Sequence, residues 1–303
     1  MIHQVCAICE KDNYTVLYPE NFDIKKINSR IFSARRLPDR IHYRMVKCKK
    51  CSLVYSNPIL EYSKIEKLYK KSFTTYDEHL ENLKETYGYY LHQLEKLQVT
   101  SNKLQRSAGR RLLEIGCGNG FFLEEAKRQG YDVYGVEPGE KSVEKAKKNI
   151  KKNIIVDIFK PGQFKKNFFA VICCFQTFDH IPDPNGLLAE CYQILKKGGL
   201  MLFFNHDIGA WQNKLMGEKS PIIDIEHTYL FDKHTMRKVF KKHKFKILEI
   251  KSAFNIHHLS YWIQLFPIPR SLKLPLIQFL NIIKLGSIKI KLNPGNLVLF
   301  AKK

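Results

Sequence analysis

The stretch EIGCGNG, residues 114–120, sets glycine at alternate positions from Gly116 to Gly120, directly behind the apolar run RRLLEI at 110–115. The run, the turn and the following FFLEEAKRQG at 121–130 read as strand, turn and helix. Phe122, Leu123 and Ala126 face inward, and Gly130 is the stop. A glycine turn between a strand and a helix N-terminus is a cradle for a ligand that must approach the backbone closely. A Walker phosphate loop is excluded, because no GK[ST] follows. A dinucleotide fingerprint needs G-x-G-x-x-G, and here the third glycine position is Phe121. Glu137, in GVEP, closes the next strand and is placed to take both hydroxyls of a ribose. The ligand therefore has an adenosine-like half and a second half lying on the glycine turn, and it needs no pyrophosphate.

Outward from this stretch the pattern alternates. DVYGVE (132–137) is a second strand and EKSVEKAKKNI (140–150) a second helix. NIIVDIF (153–159) holds a third strand and FFAVICCF (168–175) is a fourth. DPNGLLAECYQILKK (183–197) is a helix ending at Gly198–Gly199, and LMLFFN (200–205) is a fifth strand. A helix starting near Asp232 and two late strands, KFKILEIK (244–251) and NLVLFAKK (296–303), complete the set. The expectation is an α/β fold: a Rossmann-like, doubly wound, mostly parallel seven-stranded sheet covered on both faces. Cys173 and Cys174 fall in a buried strand as small hydrophobes. Asp179 and Asp183 read as structural.

The first 60 residues carry CAIC at 6–9 and CKKC at 48–51. Two C-x-x-C turns offer four sulfurs to one tetrahedral zinc: Cys6, Cys9, Cys48 and Cys51. Lys47, Lys49 and Lys50 favour thiolates there. A redox C-x-x-C would sit in a thioredoxin-like unit, which neither copy has. The expected organisation is a structural zinc ribbon at 1–60, a helical connector at 61–105 and the α/β domain at 106–303. In the connector, Leu83, Tyr87, Tyr90, Leu91, Leu94 and Leu97 recur at helical spacing. An apolar insertion at about 256–294 is interrupted by Pro267, Pro269, Arg270 and Pro275. It suits a pocket cap, a dimer contact or peripheral contact with a membrane.

The net charge of +22 is unevenly spread. Residues 1–110 carry +8, residues 111–205 only +3, and residues 206–303 carry +11. That excess fits either an anionic partner or a solvated surface. No run of 18 apolar residues argues for a membrane span. MIHQVCAICEKDN is no signal peptide, so the eight cysteines are expected reduced and the protein cytoplasmic.

Taken together, LLEIGCGNGFFLEEA, GVEP, VDIF and FAVICCFQTFDHIPDPNGLLAECYQILKKGGLMLF resemble the successive motifs of class I S-adenosylmethionine-dependent methyltransferases. The whole chain, from CAIC to NPGNLVLFAKK, resembles a bacterial subgroup with an N-terminal zinc ribbon, often linked to cell-surface polysaccharides or modified sugars. The resemblance implies S-adenosylmethionine and structural Zn²⁺ as cofactors. It implies a donor site of Glu114, Gly116, Cys117, Gly118, Gly120, Glu137, Pro138, Asp157, Ile158, Gln176 and Phe178. Glu114 would hold the donor's amino group, Glu137 the ribose, and Asp157 and Ile158 the adenine. Gln176 and Phe178 would border the sulfonium. His180 and His227 are candidate general bases for a hydroxyl acceptor. Related deoxysugar C-methyltransferases continue into a further C-terminal domain that these 303 residues do not contain, which leaves O- and N-methylation open. The acceptor expected is a small sugar or a lipid-linked glycan intermediate. An RNA acceptor read by the ribbon is the alternative; FQTFDH stands where base-amine methyltransferases carry Asn/Asp-Pro-Pro-aromatic. A non-catalytic donor-binding scaffold is a third reading, opposed by the intact glycine turn and Glu137.

Overall fold

The computed structural model describes residues 1–23, 27, 31–32, 40–71, 80–99, 110–265 and 269–303. Strands β1 (Tyr14–Tyr18), β2 (Met45–Cys48) and β3 (Val54–Ser56) form an antiparallel ribbon. Helix α1 (Tyr62–Lys70) follows, and Ile65 buries itself against Tyr43, Ile59 and Leu60. In the expected connector, helix α2 (Leu80–Val99) is described; residues 72–79 and 100–105 lie outside the described residues.

The α/β domain runs β4 (Arg110–Ile115), α3 (Phe121–Arg128), β5 (Tyr131–Val136), α4 (Glu140–Glu144), α5 (Lys148–Lys151), β6 (Ile154–Ile155) and β7 (Phe169–Phe175). Then come α6 (Pro184–Ile194), β8 (Leu195–His206), α7 (Trp211–Met216), β9 (Tyr229–Leu230), α8 (Lys233–Lys242) and β10 (Lys246–His258). Helices α9 (Leu259–Leu265) and α10 (Arg270–Ile282) lead to β11 (Lys289–Lys302). The main sheet has seven strands in the order β10-β11-β8-β7-β4-β5-β6. Strand β11 is antiparallel to both its neighbours; the strands from β8 to β6 are parallel. This is the expected doubly wound sheet.

Both faces are buried, so neighbouring residues serve opposite cores. Leu113, Cys174 and Phe203 join one, with α6 and α8. Leu112, Cys173 and Phe204 join the other, where Tyr87, Tyr90, Leu91 and Leu94 of α2 cover the sheet. Asp183 caps α6 by accepting from the Gly186 N–H at 2.9 Å, and Pro184 supplies a preset first turn.

Four details depart from the sequence reading. The helix expected at 140–150 is two short ones, interrupted where Lys147 is extended (φ −60°, ψ 141°). Helix α6 stops at Ile194, and Lys196–Gly199 already belong to β8. Strands β10 and β11 are far longer than expected, and Ile256–His258 pairs with Lys289–Lys291 inside the supposed insertion. Pro275 lies within α10 and does not end it. Pro267 lies outside the described residues.

The ribbon does not stop at residue 60. Its sheet has the order β1-β2-β3-β9, so its fourth strand comes from the α/β domain. Cys6, Cys48 and Cys51 share a core cluster with Leu113, Ile115 and Phe178 of the main sheet face.

Candidate active site

A cleft of about 1200 Å³ opens at the carboxyl ends of β4, β5 and β7, where ligands bind in open α/β sheets. Its donor end is the glycine turn. Gly116, Gly118 and Gly120 all have positive φ (75°, 52° and 75°), and a Cβ at Gly116 would run into the Thr177 side chain. The Gly116 and Cys117 N–H groups donate to the Val136 carbonyl, at 2.9 and 3.2 Å, which ties the turn to β5. Glu137 accepts from the Gly118 N–H at 2.9 Å and from the Gly139 N–H at 2.8 Å. Burial raises its carboxyl, and those two donors partly offset the rise.

Glu114 is 2% exposed at the end of β4, and its Oε2 has no hydrogen-bond partner among the described residues. Burial, reinforced by the charge of Glu137, pushes its carboxyl well above the usual range. A buried acceptor beside an open glycine turn fits the ammonium of an amino-acid-bearing donor. On these observations the turn, Glu114 and Glu137 fit S-adenosylmethionine.

The second feature is a histidine cluster. Asp179 is 1% exposed and lies 3.9 Å from His180 Nε2 and 3.9 Å from His227 Nε2. The His180 and His227 rings are 4.6 Å apart, and His206 and His227 5.1 Å apart. Tyr69 Oη meets His180 Nδ1 at 3.0 Å, and Asn296 Oδ1 meets His206 Nδ1 at 3.2 Å. Asn205 donates to Asp179 Oδ1 at 3.2 Å. Burial raises the Asp179 carboxyl, but His227, His206 and His180 outweigh it and hold it below its ordinary value. Burial and the neighbouring His180 lower His227 to about 3, against the pull of Asp179. Its ring is therefore neutral at physiological pH, and burial opposes its protonation.

Of the residues singled out from sequence, Glu114, Gly116, Cys117, Gly118, Glu137, Pro138, Ile158, Gln176, His180 and His227 line this one cleft. Three do not. Phe178 is fully buried, stacked on Phe231 (5.0 Å between centroids) and edge-on to Phe203, so it is core. Gly120 is the left-handed cap of α3, where a Cβ would meet Ile150 at 2.9 Å. Asp157 turns away to Lys160 and to Lys70 at 3.4 Å. Burial raises its carboxyl, but Lys160, the Ile158 N–H and Lys70 outweigh that and keep it low.

Sequence reasoning missed Asp179 and His206. Asp179 follows the carboxyl end of β7 and His206 is the last residue of β8, and that position was the available signal. Gln176, singled out from sequence, has a feature that sequence does not show: its backbone has φ 49°, and its Oε1 is buried without a hydrogen-bond partner among the described residues. A non-glycine residue held in the left-handed region stores strain of about 1–3 kcal/mol, a cost found at functional sites.

The four ribbon cysteines converge. Every sulfur lies within 4.8 Å of the others; Cys9 and Cys48 Sγ are 3.6 Å apart, and the Cys51 N–H donates to Cys48 Sγ at 3.3 Å. Sulfurs about 3.8 Å apart are what a tetrahedral zinc with ~2.3 Å bonds requires. Burial raises Cys9, but the Lys11 N–H and the neighbouring sulfurs outweigh it and bring that thiol to about 7.

This sheet, its glycine turn and the carboxylate closing β5 define a class I S-adenosylmethionine-dependent methyltransferase. Residues 79–250 match the methyltransferase domain family, and the chain belongs to it. Among curated proteins it is similar to the ubiquinone biosynthesis O-methyltransferase of Pectobacterium atrosepticum, 26% identical over 137 residues, covering 42% of this chain and 57% of that protein. The protein of that name in Pasteurella multocida is 27% identical over 146 residues, covering 42% and 60%. The chain thus spans under two thirds of these relatives. In fold it is similar to a chain of the Haloferax volcanii complex between the Trm112 methyltransferase activator and a methyltransferase. There the TM-score is 0.50 at 15% identity, covering 75% of this chain and 94% of that one.

Proposed function

We propose that this enzyme methylates a hydroxyl group on a sugar or glycan intermediate of surface polysaccharide synthesis. The observation that carries the reading is the placement of His227, 3.9 Å from the Asp179 carboxylate and lining the same cleft as the glycine turn. A hydroxyl acceptor needs a base, and an imidazole oriented by a carboxylate supplies one. The O-methyltransferase names of the relatives support a hydroxyl acceptor.

When bound, S-adenosylmethionine supplies a methyl group already activated on a sulfonium. Glu114 takes the donor's ammonium, Glu137 the ribose hydroxyls, and Gly116 and Gly118 let the donor lie on the backbone. Pro138, Cys117 and Ile158 wall it, and Gln176 borders the reacting centre. Placing the acceptor in line supplies most of the acceleration, up to ~7–11 kcal/mol. His227 removes the acceptor proton, Asp179 stabilises the imidazolium, and His180, held by Tyr69, orients the acceptor. Zinc on Cys6, Cys9, Cys48 and Cys51 is structural, because a four-thiolate site leaves no open position.

Labelled donor incubated with nucleotide sugars, polyprenyl-linked glycans and total RNA tests the reading. Label is expected in a glycan pool, and His227→Ala should lower turnover about 10²-fold or more while donor affinity holds. Label entering RNA alone would overturn the glycan assignment.

A further inference from the structure

Helix α10, RSLKLPLIQFLNI, is apolar, and none of its described side chains is buried. Leu272 is 65% exposed, Phe279 57% and Ile282 79%. The exposed run continues through Ile283, Leu285 and Ile288. A helix of a globular protein normally turns its apolar side to the core. An exposed apolar surface of this extent marks a place where something docks.

Three observations say what docks. The surface is continuous with the cleft mouth: α10 packs on α9, and Tyr261, Trp262 and Leu265 of α9 line the cleft. Trp211 and Leu215 of α7, also cleft-lining, are 70% and 78% exposed. Residues 256–294 hold five basic residues, Arg270, Lys273, Lys284, Lys289 and Lys291, and no Asp or Glu. Of these, Lys289 pairs with Glu85, and Lys291 lies over the Tyr89 and Phe254 rings. That leaves Lys273 and Lys284 with no acidic partner among the described residues, and a segment of apolar side chains carrying basic and no acidic residues complements an anionic bilayer. A 13-residue helix is also too short to cross one, and no described helix is long and apolar enough to do so.

We propose that α10, with the exposed tips of α7, docks this enzyme flat on an anionic phospholipid bilayer with the cleft mouth facing the lipid. An acceptor then enters from the membrane plane. Within the glycan reading above, on which this last step rests, it selects a lipid-borne glycan.

The test is co-sedimentation of the full chain with phosphatidylglycerol–phosphatidylcholine vesicles and with pure phosphatidylcholine vesicles. Binding is expected to the anionic vesicles and to weaken at high salt. The triple variant Leu272→Glu/Phe279→Glu/Ile282→Glu should lose at least tenfold in vesicle affinity at unchanged Tm and donor affinity. A wild-type chain that stays in the supernatant with both vesicles overturns the proposal. So does a wild-type dimer in ultracentrifugation that the triple variant breaks while neither binds vesicles, since the face then joins two copies. Vesicle binding by a chain that methylates only water-soluble nucleotide sugars would keep the docking surface and refute the lipid-borne acceptor.

Discussion

Glu114 is the residue whose state most depends on the donor. Buried and beside Glu137, its carboxyl stays protonated well above the usual range. An ammonium placed on it restores the charged form, so donor binding should release a proton at pH values where the empty carboxyl is still protonated. Calorimetry in two buffers of different ionisation enthalpy measures this directly. Glu114→Gln should abolish the buffer dependence, and a wild-type enthalpy independent of buffer would falsify the pairing. Glu137→Ala should weaken the donor by at least ~1.5 kcal/mol, because it removes a charge-assisted hydrogen bond and also frees the Gly118 and Gly139 N–H groups. His227 makes a signed prediction about pH. Folded, it stays neutral down to about 3, whereas an unfolded imidazole takes a proton near ~6.5. Below that value the unfolded chain binds the extra proton, so this residue makes stability fall as pH drops from about 6.5 towards 3. Glu114, raised in the folded state, acts in the opposite sense as pH rises, so the wild-type slope is compared with that of a variant. Tm of His227→Gln should fall less steeply over the window; equal slopes would reject the buried neutral ring.

At the scale of elements, β9 is the join between ribbon and site. Ser56 Oγ donates to the His227 carbonyl at 2.8 Å, and the Ser56 N–H donates to the Thr228 carbonyl at 2.9 Å. Strand β3 thus holds the backbone on the C-terminal side of the proposed base. Ser56→Ala deletes the buried donor to the His227 carbonyl, which should cost about 1–3 kcal/mol of stability. Because the displaced loop carries the base and not the donor contacts, turnover should drop while the donor Kd stays put. Loss of donor affinity with unchanged turnover would mean that β9 does not position the site. The element boundaries most visible in sequence are those set by local chemistry. Asp183-Pro184 starts α6, and Asp232 caps α8 by accepting from the Thr235 N–H at 2.7 Å. The boundaries misread are those set by packing: the ends of β10 and β11 depend on each other across the hairpin.

For the whole molecule, the cysteine cluster and the main sheet share one hydrophobic cluster, which holds Cys6, Cys48 and Cys51 together with Leu113 and Ile115 of β4 and Ile172 and Cys174 of β7. We propose that the ribbon is therefore no independent unit and that zinc stabilises the entire chain. Elemental analysis should find one zinc per chain. Stripping it with a chelator should lower Tm in a single calorimetric transition, with donor affinity lost only in step with unfolding. Two separate transitions, one insensitive to metal, would show a self-contained module instead.

Sequence alone determined the sheet, the glycine turn, the place of Glu137 at the end of its strand, and the four cysteines, because each is written in local spacing; Glu114 came from the family resemblance. Strands alternate with helices at fixed periods, a positive φ calls for glycine, and two sulfurs on one C-x-x-C turn are neighbours by covalent geometry. Only the tertiary structure decided the rest. Asp179, His206 and His227 lie far apart along the chain, and a turn after β7, the end of β8 and the segment before β9 bring them together. Asp157 looked like a donor contact until Lys70, from α1, claimed it together with Lys160, and Phe178 looked like one until Phe231 covered it. Spacing cannot report such pairings, because a side chain's partner across a core is chosen by how distant elements pack and not by its neighbours in sequence.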